Sequence, residues 1–498
     1  MFTIKFSAVA VAAMGLFAGT AQAQSTMIAS AGASATRTTV LNLFVTNLCG
    51  ATTPQHYAAP SAEGGTNVRA VRCGNAPGKA FSIDTDGGSW RAASVKNAPV
   101  FNAAITGADP TVKKVRYLDI SSCPSAATTG TLAAPVTCTP TIGTIAAKVI
   151  GTAPANAAVL TAPTDVDIGF ADTDQAFFDG LPGAVLGTDL NLPASTALST
   201  WPKFTGSTGN GGTVTAVPAL GIVFGVAASR TLIQDLMADQ GITVALRPEC
   251  FNADGTANLA PAAAEACAPV ITRDQYRSIS TYTFNQLNTT WDNLFRNAGS
   301  TPGSVTLERR DFGSGTQAVA NAYFQGVGCT PYYLTPASSS DDPTNITENN
   351  ATGDVLTRLS LAGVRSVGIV SRENTPVATP AAGSTNQNWG FLKLATGAEK
   401  GAIAGLNGAY PKSANATRGL YDLWSVGYAF KKSNETNADV NTIMAGITAG
   451  TNIAATEGVF RLAGITTGTR GTGTAFPTNG SYFDKKGMSL ACTGALAF

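Results

Sequence analysis

Charge is scarce in this chain. Of its 498 residues, 13% are Asp, Glu, Lys or Arg, about half the share in an average soluble protein. Lys plus Arg number 32 and Asp plus Glu 31, a net charge of +1. With no basic excess, the chain has no field to hold a nucleic-acid backbone or an anionic membrane surface. Histidine is nearly missing: His56 stands alone, which excludes a His-rich metal centre. It lies in Pro54-Gln55-His56-Tyr57, read as a loop, and matches no hydrolase motif, so a Ser-His-Asp triad is set aside. No C-x-x-C pair occurs. Beyond the N-terminus no run is long and apolar enough to span a bilayer; the best, 217–228, is strand-length and broken by glycines. The hydrophobic share of 44% is ample for a packed core, which excludes a charge-rich disordered chain.

What is present begins with an export signal. Lys5 gives residues 1–23 a positive start, Phe6 to Ala18 is apolar, and Ala21-Gln22-Ala23 is an A-x-A cleavage site. This is the pattern of a secretory signal peptide, with the mature chain starting near Gln24 and no cysteine there to carry a lipid. Loss of Lys5 brings the mature balance to zero, so the expected destination is the periplasm or the exterior.

The eight cysteines, Cys49, Cys73, Cys123, Cys138, Cys250, Cys267, Cys329 and Cys492, all fall in the exported part, where disulfides form and persist. Composition leaves every pairing open. Proximity in sequence suggests Cys49–Cys73, Cys123–Cys138 and Cys250–Cys267, with Cys329–Cys492 remaining.

Helical spacing predicts helices over 39–48, 231–240, 273–280, 316–325 and 353–362. Strands are expected at 221–227, 305–309 and 367–370. Such alternation argues for an α/β protein with mainly parallel, mixed sheets. Stretches rich in Ala, Thr, Gly and Pro at 91–163, 186–216, 251–268 and 336–352 read as loop-rich insertions.

Four segments could carry chemistry. Arg310-Asp311-Phe312-Gly313-Ser314-Gly315-Thr316 follows a strand and opens a helix. Free helix amides, hydroxyls and a forked guanidinium there suit a tetrahedral oxyanion; a glycine turn with a Ser/Thr cap is the plainer alternative. Gly32-Ala33-Ser34-Ala35-Thr36 precedes the first helix, where Ser34 or Thr36 would serve as an N-cap. Asp84-Thr85-Asp86-Gly87-Gly88-Ser89 is a turn whose Thr85 could face a ligand or solvent. Asp167-Ile168-Gly169-Phe170-Ala171-Asp172 is a strand ending in an acid, which could cap a helix. Asp84 and Asp86 lack the rest of a calcium loop, and Trp90, Trp201, Trp291, Trp389 and Trp424 are scattered as core or hinge packing would have them.

In order and spacing these segments resemble the phosphate-type, PstS-like solute-binding proteins of bacterial ABC transporters, within the type II periplasmic binding proteins. GASATRT from Gly32 is similar to that family's GAGATFP, and Thr85-Asp86-Gly87-Gly88 to its GSSGG turn. Asp167–Asp174 is similar to DFGASDAP, and Arg310–Thr316 matches R-x-x-GSGT without a gap. Looser likeness runs through Thr283–Leu287 with Trp291, Val367–Val370 and Tyr421–Ser425. The sequence departs from the pattern in Thr38, which replaces a proline, and in Asp86, which replaces a serine and adds negative charge near the site. Phe312 stands where an acid usually orients the arginine, and Asp311 is displaced from that place by one.

The resemblance implies a two-lobed fold with a hinge. Lobe one would span 24–217 and 385–498, with the insertion 91–163, and lobe two 218–384, with crossovers near 218–228 and 368–395. It implies a non-enzymatic binder, without cofactor or metal, that holds inorganic phosphate or a similar oxyanion. The contacts would be Thr36, the Arg37 amide, Thr85, Asp172, Arg310, Ser314, Gly315 and Thr316. Asp172 would accept the P–OH hydrogen of hydrogen phosphate, which sulfate cannot offer. The implied partner is an ABC permease, and the implied state a monomer. The competing readings are an extracellular interaction protein using the same scaffold with a degenerate site, and, behind it, a phosphoesterase.

Overall fold

The computed structural model describes residues 27–50, 52–60, 65–73, 79–98 except 87 and 97, 114–120, 130–137, 142–144, 165–173, 214–281, 294–295, 305–325 except 312, 346–376 except 350, 388–395, 408–449 except 419, and 456–461. The signal segment, Trp201, Trp291, the Cys123–Cys138 and Cys329–Cys492 pairings and most of 186–216 lie outside them.

The strands are β1 (Ile28–Gly32), β2 (Pro54–Ala58), β3 (Val68–Cys73), β4 (Ala80–Asp84), β5 (Arg116–Leu118), β6 (Val136–Thr137), β7 (Ile142–Thr144) and β8 (Ile168–Ala171). The long β9 (Val214–Ser229) follows, then β10 (Val270–Thr272), β11 (Thr306–Arg310), β12 (Ile346–Asn349) and β13 (Ser366–Ser371). Last come β14 (Trp389–Phe391), β15 (Lys393–Ala395), β16 (Trp424–Lys432) and β17 (Val459–Arg461). Among the described residues thirteen of them form one mixed sheet, ordered β12-β11-β13-β9-β16-β8-β1-β4-β3-β2-β6, with β14 and β17 also on β9.

β9 explains why this sheet has two halves. Its first part, Val214–Val223, runs antiparallel to β16, and its last part, Phe224–Ala228, runs antiparallel to β13. One continuous strand thus passes from the β8-β1-β4 parallel set to the β13-β11-β12 parallel set. Pro218, which cannot donate to a ladder, sits where the β9–β16 register shifts, the place a sheet tolerates proline. β14 pairs with the far part of β9, and β15 with β10.

The helices follow the apolar spacing. α1 (Arg37–Phe44) buries Val40, Leu41 and Phe44, and the Phe44 ring stacks on Phe81 of β4 at 5.1 Å. Burying one such side chain is worth roughly 2–3 kcal/mol. Cys49, just beyond this helix, is bridged to Cys73 at the end of β3. α2 (Arg230–Asp239) starts where Ser229 accepts the Leu232 amide, a standard N-cap. α3 (Pro261–Cys267) and α4 (Arg273–Thr281) flank β10. α5 (Gly315–Gln325) and α6 (Thr352–Leu359) each follow a strand of the β11–β12 pair. Gly32 ends β1 at φ 140°, and a Cβ there would lie 1.8 Å from the Phe170 carbonyl oxygen, so no other residue fits this junction.

Three expectations are corrected. His56 is in strand β2, paired with Val71, and is buried; burial with Arg69 nearby pulls its pKa down to about 4. The stretch 251–268 carries α3 and the Cys250–Cys267 bridge, because alanines after Pro261 favour a helix. The stretch 336–352 contains β12. Trp90, Trp389 and Trp424 are buried, in line with packing.

Candidate functional site

The four segments meet at the seam between the sheet halves. β1 delivers the turn Ser34–Thr36 and then α1, and β4 delivers Thr85 and Asp86. β8 ends at Asp172. From the other half, β11 delivers Arg310, and its following turn opens α5 with Ser314, Gly315 and Thr316. Each lies at the C-terminal end of a parallel strand, where open α/β sheets place ligands. All the polar residues named except Ser34 are buried.

Asp172 is fixed from both sides. Its amide donates to Ser89 Oγ at 3.0 Å and its carbonyl accepts from Ser425 of β16. The carboxylate is thereby aimed at α5: a Cβ on Gly315 would lie 2.6 Å from Asp172 Cβ and 2.3 Å from Ser89 Oγ. Only glycine lets the helix start this close. The Trp90 indole packs against Gly313, and the Trp90 amide donates to the Gly313 carbonyl at 3.1 Å, a hydrogen bond across the seam. Asp172 Oδ1 is buried without a hydrogen-bond partner among the described residues. Burial pushes the Asp172 carboxyl up to about 7, against the pull of Arg310 and of the Ser89 hydroxyl. A carboxyl so placed receives a proton readily.

Arg310 donates from Nη1 to Thr352 Oγ1 at 2.8 Å, and Thr352 Oγ1 lies 3.3 Å from Ser34 Oγ in the opposite half. Asp311 Oδ2 lies 3.7 Å from Arg310 Nη2. The displaced acid therefore supplies a carboxylate beside the guanidinium although position 312 is Phe. Arg37 donates from Nη1 to Asn67 Oδ1 at 2.8 Å, and the Thr85 amide and hydroxyl both donate to the Asn67 carbonyl, at 2.8 and 2.9 Å. Asn67 thus ties Arg37 to Thr85. The Thr36 hydroxyl donates to the Ala33 carbonyl at 3.3 Å.

Asp86 does not bring loose negative charge to this place. Its Oδ2 accepts from Arg116 Nη2 at 2.7 Å, while Asp84 Oδ2 accepts from Arg91 Nη1 at 3.1 Å and from the Arg116 amide at 2.9 Å. Arg91 is fully buried, so this cluster is an internal ion network that stiffens the turn holding Thr85. Among the described residues no group of acids, cysteines and histidine could hold a metal ion.

Sequence reasoning missed Ser34 as a cross-seam partner, Asn67, Ser89, Thr352 and Glu373. Glu373 follows β13, and its carboxylate is within hydrogen-bonding reach of the Thr38 hydroxyl and the Thr39 amide at the start of α1. Only its place two residues past a strand end could have drawn notice.

Fold and site together define an α/β protein whose two sheet halves share a crossover strand and enclose a buried polar seam fed by helix N-termini. No family model and no curated protein matches the chain. Among solved structures it is similar to an ABC-type phosphate transport receptor from Vibrio cholerae, at 13% identity and a TM-score of 0.25, covering 47% of this chain and 66% of that one. It is also similar to a possible phosphate binding protein from Planctomyces limnophilus DSM 3776, at 11% identity and a TM-score of 0.30, covering 85% and 87%.

Proposed function

We propose that the chain is an exported solute-binding protein that holds a phosphate-like tetrahedral oxyanion at the seam, without a chemical step, and hands it to an ABC permease. One lobe carries β1–β8 and β16, the other β10–β15, and β9 crosses between them. The supporting observation is the convergence of Arg310, the first turn of α5 and the partnerless Asp172 Oδ1 on one buried place. An anion there meets helix amides and a guanidinium. Asp172 accepts a ligand hydroxyl, so the arrangement favours hydrogen phosphate or arsenate over sulfate, whose unprotonated oxygens face a carboxylate. The mature chain's neutrality makes this capture local, resting on a few fixed donors rather than a global field. The residue-1–23 signal pattern and the two disulfides among the described residues favour an oxidising compartment outside the cytoplasm. No helix among the described residues is long and apolar enough to cross a membrane.

Calorimetry with phosphate, arsenate and sulfate tests this. Phosphate and arsenate are expected to bind and sulfate not. Arg310→Ala is expected to weaken phosphate on the order of a hundredfold, the scale for truncating a buried charged partner. Absence of phosphate binding in the unmodified protein overturns the reading.

A further inference from the structure

The seam holds a second carboxylate that the anion reading does not use. Glu373 reaches the start of α1 from the loop after β13, so it crosses to the element that carries Thr36 and Arg37. Its Oε1 is shielded from solvent and has no hydrogen-bond partner among the described residues, the same condition as Asp172 Oδ1, and Arg37 Nε is likewise buried without one. Glu373 lies in the fields of Arg37 and of Asp172. The charges facing this pair are Arg37 from α1, Arg69 from β3, and Arg310 with its neighbour Asp311 after β11. The adjoining Arg372 faces Glu457 at 3.9 Å.

The charge count decides what this place accepts. Arg37, Arg69 and Arg310 are offset by Asp172, Asp311 and Glu373, so the seam is neutral with every group ionised. A dianion would leave two uncompensated charges in a buried place, a severe desolvation cost. A second proton removes one of those charges and gives the second bare carboxylate oxygen a donor. Resting on the oxyanion reading above, we infer that Glu373 is a further specificity-determining residue: the bound complex holds two protons, one between ligand and Asp172 and one between ligand and Glu373. The ligand is thereby taken in its singly charged, doubly protonated form, the second proton coming from solvent when the free ligand is a dianion. Burial pushes the Glu373 carboxyl up to about 8, with the Asp172 charge adding to the effect and Arg37 opposing it, in keeping with a group that keeps a proton in a neutral medium.

The test is calorimetry with inorganic phosphate at about pH 8.5 in two buffers of different ionisation enthalpy, which reads the protons taken up on binding. The unmodified protein is expected to take up well over half a proton per phosphate at that pH, and its affinity to fall as pH rises above about 8, approaching tenfold per pH unit. Glu373→Gln is expected to bind with little uptake and a flattened pH profile, its melting temperature serving as the check on folding. Phosphate binding without proton uptake by the unmodified protein overturns this inference and leaves the oxyanion reading standing, as does uptake that survives in Glu373→Gln. No phosphate binding overturns both. The unmodified protein alone decides the question if the variant fails to fold.

Discussion

Asp172 is held by its own backbone, with Ser89 and Ser425 on either side and an unpartnered Oδ1 beside the first turn of α5. Because its carboxyl is raised to about 7, the ligand-free fold favours the protonated form. The stability this confers is full below the group's ordinary pKa and is lost as pH rises through about 7. Asp172→Asn removes that loss. The variant is therefore expected to be more stable than the unmodified protein at about pH 8, by on the order of 3 kcal/mol, and nearly equal to it at about pH 4. Thermal melts of the ligand-free proteins across that range check this. The same variant places an N–H where a carboxylate stood, so sulfate binding is expected to rise about tenfold while phosphate binding falls. Arg310 and Asp172 are singled out in the sequence, Arg310 by the glycine-rich turn three residues after it and Asp172 by the family likeness of its segment, and the fold brings both to the seam. Glu373 and Thr352 were not legible: their roles depend on the packing of separate halves, and no nearby glycine or repeat marks them. Asp86 was misread because its partner Arg116 comes from a stretch of low periodicity.

At the scale of elements, the helices read from apolar spacing agree with the structure to within a residue or two, apart from α1 and α6. α1 begins two residues early and gives way to a wider turn over Val45–Cys49. α6 ends at Leu359, three residues short of its expected end. β9 was seen as a short apolar run because only its last eleven residues are fully buried; its exposed first part carries Pro218 and lacks the continuous apolar signal. The junction of β8, β11 and α5 depends on the absence of a side chain at Gly315. Gly315→Ala would drive a methyl into Asp172 and Ser89, and is expected to weaken phosphate binding more than tenfold while lowering stability by about 1–3 kcal/mol. Calorimetry paired with a melting curve separates the two effects. The Cys250–Cys267 bridge closes a segment with a sequence separation of 17. Replacing both cysteines with serine is expected to cost about 3 kcal/mol, readable as a lower denaturant midpoint with the phosphate titration unchanged.

For the whole molecule, low charge and near neutrality set the terms. On the proposed reading, a chain without a net field binds an anion by placing a few donors with care, and a crossover strand, cross-seam hydrogen bonds and an internal Asp–Arg network are what would fix that placement. Two halves joined by β9 are also the arrangement in which closing around a ligand is a small rotation. The α/β alternation is readable because it repeats strand and helix periods, and a mixed sheet is expected from it; which strands run antiparallel, β9 and β16, is a choice of topology that periodicity does not encode.

The central claim, that the seam of β1, β4, β8 and β11 is an oxyanion site, is tested most directly by a high-resolution structure of the protein with phosphate. One tetrahedral species is expected there, its oxygens meeting the Arg310 guanidinium, the first amides of α5 and Asp172 Oδ1. A seam empty at saturating phosphate, or phosphate bound elsewhere and away from Arg310, would contradict it.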